Sequence, residues 1–381
     1  MTTSSVSAGL IGLPGIEVFQ EPMGTDVDPR FGIRTNALPV PELFNLYERT
    51  RFLYPAKREK LAPVMPQVMH NWERLRKAGE LLLCSMTVRD RATGAISSIT
   101  KWRSSLNGTL VQHLVSDGNP LGTRAVSLGA TATSYVMGAD RFHQNWFRPD
   151  NRFPARVFGT LPASAGSERA AVHDLRFWNV SRNLLLTKCG AGVIEPVKRL
   201  HDRKALLNLV RRSRGPLWAA IEELDTDLEL DSIDAIYRRI GLSRYRRVWM
   251  AVPNDEDQPV MAAIAYRGPL GMNFSFLENR CEVMIDPEAD LGLVAKLAPA
   301  LLGAAATAYS DFELPYIPVV ACGLANESLL NAGGEFLRHY SQSVWTREGC
   351  PAFYSHINRI YDRLLSRADE KGKEQYVAHA S

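Results

Sequence analysis

The sequence predicts an α/β (α+β) protein built as two similar domains, each a mixed, mostly antiparallel sheet flanked by helices. Three observations carry this. At 381 residues the chain is beyond the size at which one hydrophobic core stops growing. Its apolar period switches between the helical and the strand value in both halves. The order of elements also recurs: helices, a strand–polar turn–strand hairpin, another strand, a helix, then a further strand. Identity between the two copies is negligible, so a pattern repeats and the letters do not.

The elements follow in order. Residues 1–37 are rich in Gly, Pro and Thr and read as an irregular segment. From Pro41 to Ala78 the chain reads as helical, broken by Pro55, Pro63 and Pro66. Leu43, Leu46 and Tyr47 fit one helical face, and Val68, Trp72 and Leu75 fit another. ELLLCSMTV (80–88) and AISSITKWR (95–103) form a hairpin across the turn RDRATG, and GTLVQHLVS (108–116) is a third strand. Then comes SDGNPLGTRAVSLGATATSY (116–135), a glycine turn running into small helical residues. ARVFGTL (155–161) closes the first domain, 38–162, as a further strand. PASAGSERA has linker composition and opens a connecting region, 163–200.

In the second domain, 201–365, residues 202–240 are helical with a polar break near Asp225 to Asp231. RRVWMAV (246–252) and PVMAAIAYR (259–267) pair across PNDEDQ, and MNFSFL and CEVMID (281–286) read as further strands. DLGLVAKLAPALLGAAATAY (290–309) is a helix, IPVVACG (317–323) a strand and ESLLNAGG (327–334) a short helix. EFLRHYSQSVWT (335–346) is strand-like, and PAFYSHINRIYDRLL (351–365) is an amphipathic helix opened by Pro351. Residues 366–381 read as a polar, flexible tail.

Composition narrows the function classes. The chain is 45% hydrophobic and 23% charged with a net charge of +4, so no strong field marks a nucleic-acid protein. Lys198 to Arg214 is strongly basic: a solvated helix face, or a dock for an anionic partner such as an acyl-carrier protein. Cys84, Cys189, Cys281, Cys322 and Cys350 lie far apart without CxxC spacing, which points to buried free thiols and a reducing cytoplasm. The first residues lack a basic region and a long apolar core, so no signal peptide is expected. No membrane span is expected either, because the most apolar run contains Lys296 and Pro299. The eight histidines show no HxH or HExxH spacing, so no metal is expected. Ser164 and Gly190 do not sit in nucleophile elbows, and no phosphate-binding GxxxxGK[ST] is present. The run RFHQNWFRPDNRF (141–153) mixes Phe142, Trp146, Phe147 and Phe153 with arginines. It fits a loop beside an active cleft that restricts the acceptor, or a stacking surface for a nucleotide.

The recurring order resembles the GNAT acyltransferase fold, here in tandem. In that fold the fourth strand splays from the fifth, with a pyrophosphate-binding turn and a helix between them. The resemblance assigns GTLVQHLVS, GNPLGTR and AVSLGATATSY to these roles in the first half. CEVMID, PEADLG and LVAKLAPALLGAAATAY take them in the second half. It implies transfer of an acyl group from a coenzyme A or acyl-carrier-protein thioester to an amine. The acceptor proton goes to a base, and an acid serves the leaving thiolate. A phosphate needs backbone N–H groups, permissive glycines and a helix N-terminus. The first turn offers Gly118, Gly122, Thr123 and Arg124, with Leu114 and Val115 on the strand before it. Glu288 and Asp290 in the second turn would repel a diphosphate and read as helix caps. His113 is the candidate base, Tyr135 the candidate acid, and Glu282 the counterpart of His113 in the second half. The competing reading is a non-catalytic GNAT pair that senses a ligand or scaffolds a complex. A weaker one is a nucleotide-binding effector.

Overall fold

The computed structural model describes residues 31–79, 82–136, 141–183, 190–198, 200–226, 230–321, 329–330 and 333–379. The first half runs β1 (Phe31–Thr35), α1 (Val40–Arg49), α2 (Pro55–Leu61), α3 (Met65–Lys77), β2 (Leu83–Asp90), β3 (Ile96–Arg103) and β4 (Gly108–Ser116). It continues through α4 (Pro120–Val136), β5 (Phe142–Phe147), α5 (Arg152–Phe158), α6 (Leu161–Ala165) and β6 (Ala170–Ser181). The second half runs β7 (Gly192–Pro196), α7 (Leu200–Arg214), α8 (Pro216–Ile221), α9 (Asp234–Arg238), β8 (Tyr245–Pro253), β9 (Met261–Arg267) and β10 (Cys281–Ile285). It ends with α10 (Leu291–Ala306), β11 (Tyr316–Ala321), β12 (Glu335–Thr346) and α11 (Cys350–His379).

The strands form one sheet in the order β1-β2-β3-β4-β5-β12-β6-β11-β10-β9-β8-β7. This order reads the same from both edges once each first-half strand is matched to its second-half counterpart. The two halves therefore share one architecture, with one exchange. The last strand of each half lies beside the fifth strand of the other: β12 pairs with β5 and β6 with β11, all antiparallel. β12 and β6 pair with each other along almost their whole length, from Glu335–Asn179 to Trp345–Ala170.

Alternation along each strand sorts the core into two faces. Leu83 and Trp102 face α1–α3 on one side of the sheet, and Ala263 and Cys281 face α10 on the other, all within one contact cluster that spans both halves. Met86, Ile99 and Val111 face α4, α5, α6 and α11. On the α1–α3 side of the second half, Val248, Ala262, Ile264 and Met284 meet α7 and α8. Local signals explain several ends. Pro41, Pro55 and Pro66 stand in the first turns of α1, α2 and α3, where a missing N–H costs nothing. Asp90 Oδ1 accepts from Ala92 N (2.8 Å) and Thr93 N (3.2 Å) to close the β2–β3 turn. Asp290 caps α10 by accepting from Leu293 N (2.8 Å).

Several expectations need correction. Residues 31–35 are an edge strand and not irregular; residues 1–30 lie outside the described residues. Residues 163–200, read as a connector, contain β6 and β7, so the halves meet near residues 182–191. ARVFGTL is helical (α5 and the start of α6), and the fifth strand of the first half is FHQNWF. MNFSFL is a loop ending in a short 3-10 turn at Leu277–Asn279. Helix α11 continues through the expected tail to His379. Most of ESLLNAGG lies outside the described residues, as do Cys189 and Cys322, while Cys84, Cys281 and Cys350 are free and buried. By length and composition Leu291–Tyr309 qualifies as a membrane-length apolar helix. In this fold it is a core helix, packed on β7, β8 and β9.

Because β12 and β6 interlock the halves, heat should unfold them together. Calorimetry is expected to give one transition. Ile360→Ala, which empties a buried position of α11, should move that whole transition, at a cost of about 2–5 kcal/mol. Two separable transitions would contradict the interlock.

Candidate functional site

The site lies where β4 and β5 part. The two strands pair in parallel only from Gly108–Phe142 to Leu110–Gln144. Beyond that, side-chain amides span the widening gap. Gln112 Nε2 donates to Trp146 O (2.9 Å), and Asn145 Nδ2 donates to Val111 O. Asn273, from the β9–β10 loop of the other half, donates to Gln112 Oε1 (2.7 Å). These bonds satisfy backbone groups that a ladder would otherwise pair.

β4 also bulges here. Gln112 pairs with Thr100 and Val115 with Ser98, which leaves His113 and Leu114 opposite the single residue Ile99. The bulge inverts the facing pattern: Leu110 and Val115, five residues apart, share one side. His113 carries it with φ +57, an uncommon left-handed conformation for a side chain of this size.

A cavity of about 470 Å³ opens through the gap. On the α4 side of the sheet its walls are mainly apolar, formed by Ile99, Val111, Ala130, Val157, Phe353 and Ile357, with the hydroxyls of Ser127, Thr131 and Ser134 among them. On the α1–α3 side they are polar and cationic: Arg51, Tyr54, Lys57 and Arg148, with Ser275 and Tyr340, whose hydroxyls lie 2.8 Å apart. The second half thus builds much of a first-half cavity, through the β9–β10 loop, β12 and α11.

Sequence reasoning singled out His113, and it lines this cavity. Its ring stacks between Phe274 (centroids 4.3 Å apart, 17°) and Trp72 (5.6 Å, 11°). Burial, with the Lys57 ammonium nearby, pushes its pKa well below the ordinary range, so the imidazole is neutral at pH 7. Its Nδ1 has no hydrogen-bond partner. Leu114 also lines the cavity, while Val115 turns into the core beside α1–α3. Tyr135 lies in α4, its side chain outside the described residues.

The glycine turn is largely satisfied by its own residues. Asn119 Oδ1 accepts from Gly122 N (3.0 Å), and Asn119 O accepts both Thr123 N (3.0 Å) and Thr123 Oγ1 (2.8 Å). Gly118, at φ +82, makes the turn. Gly122 is a packing glycine, since a Cβ there would lie 2.8 Å from Ser97 Oγ. Arg124 is not a free countercharge: it donates to Asn358 Oδ1 (2.9 and 3.1 Å) and pairs with Asp362 (3.0 Å), fastening α4 to α11.

Glu282 is corrected outright. It is fully buried, bonded to Arg214 and, at 2.9 Å, to Arg280. Burial raises its pKa, but the two guanidinium groups outweigh this and hold the carboxyl below the usual range. Arg280 in turn stacks on Tyr266 (3.7 Å), and Tyr266 donates to Glu222 (3.0 Å). This is structural, far too enclosed for proton transfer with a substrate. The basic run is likewise partly consumed: Arg203 and Arg214 are buried and Arg212 pairs with Asp286, leaving Lys198, Lys204 and Arg211 exposed. Ser164 meets His356 Nδ1 (3.0 Å), but His356 Nε2 faces the carbonyls of Arg156 and Val157, so the pair ties α11 to α5 and α6.

Sequence reading missed Lys57. Its Nζ sits over the rings of Phe52 (4.6 Å), Tyr54 (5.6 Å) and Phe274 (5.8 Å). Burial, then Arg338 and Arg148, lower its pKa to about 8. In the string PAKREK it looks like any solvated helix lysine.

Two outcomes are expected. His113 and His173 are held neutral by burial, His173 down to about 3. Above their ordinary value near 6.5 this is without effect. Below it the unfolded chain takes up protons that the fold excludes, and stability falls by about 1.4 kcal/mol per pH unit per histidine. Denaturant titrations from pH 7 to 5 should show this, with a shallower slope in His113→Asn; an unchanged slope would refute it. Glu282→Gln, which strands two buried arginines, should cost about 3–5 kcal/mol and leave the cavity's ligand binding intact.

No protein-family model and no curated protein matches the chain. Solved structures do. A GCN5-related N-acetyltransferase from Sphaerobacter thermophilus is 14% identical over 84% of this chain and 97% of its own (TM-score 0.44). A putative acetyltransferase from Pyrococcus horikoshii is 8% identical over 86% and 92% (TM-score 0.41). A tandem GNAT protein from the clavulanic acid biosynthesis pathway is 11% identical over 70% and 83% (TM-score 0.35). In each half here an antiparallel meander leads to a fourth strand that pairs in parallel with the fifth across an intervening helix, which gives the chain a tandem GNAT-like fold.

Proposed function

We propose that the first half transfers an acyl group from a thioester donor, on coenzyme A or an acyl-carrier protein, to an amine. The observation that carries this is the cavity through the β4–β5 gap, mainly apolar on one side of the sheet and cationic on the other. The thioester carbonyl would sit at the bulge, with its acyl chain toward α4 and α11 and the amine approaching from the α1–α3 side. His113, neutral and aimed at the same cavity, would take the proton the amine loses as it forms the amide. The thiolate leaves with the donor's carrier arm. The self-capped glycine turn offers little to a diphosphate, which favours donors held by their acyl chain and pantetheine arm.

The test is a melting-temperature series of the full chain with acetyl to palmitoyl thioesters, on coenzyme A and on a carrier protein. Stabilisation should rise with chain length. Ala130→Phe, which fills the apolar side, should abolish it for long chains and spare acetyl. If no thioester on either carrier stabilises the protein, the reading fails. Binding without transfer to any amine would favour the ligand-sensing alternative.

A further inference from the structure

We propose that the cationic side of the cavity recognises an anionic group on the acceptor, so that the acceptor is an amine carrying a nearby carboxylate, of the α-amino-acid class. The inference rests on the acyl-transfer reading for the word acceptor, but the binding claim stands on its own residues. Three cations line it and a fourth stands close behind. Arg51 follows α1, at φ +57, Lys57 is on α2, Arg148 follows β5 and Arg338 is on β12. Asp150 neutralises Arg148, and Arg338 donates to the Tyr54 hydroxyl (3.3 Å). Lys57 is different. Among the described residues its ammonium has ring faces around it but neither an ion pair nor a hydrogen bond. Lys57 is half-buried, and a partly desolvated cation without a counterion is stabilised when a ligand supplies one.

The place of Lys57 decides which ligand that is. Phe274 touches both groups: it stacks on His113 at 4.3 Å and lies 5.8 Å from Lys57 Nζ. An anion on Lys57 therefore lies one side-chain layer from the candidate base, within a few bonds of an amine held there. The phosphates of a carrier arm lie much farther from its thioester. The hydroxyls of Tyr54, which accepts from Arg338, and of Ser275, which accepts from Tyr340, keep their protons as donors for a carboxylate.

Binding of leucine and of 3-methylbutylamine, its decarboxylated counterpart, should be compared by calorimetric titration of the full chain without donor. Leucine is expected to bind at least tenfold more tightly. Lys57→Met should erase that preference, and Lys57→Arg should retain it. Leucine affinity in the wild type should be full below pH 8 and fall as pH rises through it, since Lys57 loses its charge there. The other facing groups are arginines, tyrosines, the ion-paired Asp150 and His113, which burial keeps neutral. In Lys57→Met this step should vanish. Equal binding of the two probes, no binding of leucine, or unchanged preference in Lys57→Met overturns the proposal. So does competition of coenzyme A with leucine, which would assign the cations to the donor's phosphates. Selective leucine binding without turnover of any thioester would instead sink acyl transfer and leave this site standing.

Discussion

The exchange of last strands is the constraint on which the rest of the molecule hangs. A fourth and fifth strand that part company leave the fifth with an unpaired edge, and an exposed edge in mid-sheet is a liability. Here β12 crosses from the second half to cover β5, and β6 crosses the other way to cover β11. The two crossing strands then close the sheet by pairing with each other. Once β12 is there, α11 has no choice but to lie on α4, and the wall of the cavity follows: Trp345, Cys350, Phe353 and Ile357 come from the far end of the chain.

The seam is polar to an unusual degree for a sheet centre. Gln342 donates to Gln144 (2.9 Å), Gln144 to Glu222 (3.1 Å), and Trp218 to Gln342 (3.0 Å). Glu222 also meets Arg246, and Arg244 meets Glu278 (2.6 Å). Each such group is expensive to bury alone and tolerable only with its partners in place. The network therefore penalises any register other than the observed one more than it adds to stability.

What the sequence disclosed and what it hid have physical reasons. The β2–β3 hairpin, β10, α10, β12 and the start of α11 were legible because apolar residues alternate or recur with the right period and a turn or proline marks the ends. FHQNWF was not, because His143, Gln144 and Asn145 look solvated yet are buried, where they bond to Thr109, Glu222 and the carbonyl of Val111. β6 was hidden the same way by His173, Asp174 and Arg176 in its middle. At the site, His113 was legible as a polar residue on a strand that should splay. Its aromatic sandwich was not, because Trp72 and Phe274 arrive from distant segments, one of them in the other half. Arg124 and Glu282 looked available only because their partners, Asn358, Asp362, Arg214 and Arg280, lie across the tertiary structure.

The crossing of β12 also sets a timetable for biosynthesis. A ribosome releases the first half before it has made β12 or α11, so the emerging domain has its meander and helices but a bare edge on β5. The apolar flank of α4 is equally uncovered. It must wait, with its future cavity open on one side, until well over a hundred further residues have been made (β6 ends at Ser181 and β12 begins at Glu335). Such a nascent chain is a natural client for chaperones and a poor candidate for expression as an isolated half.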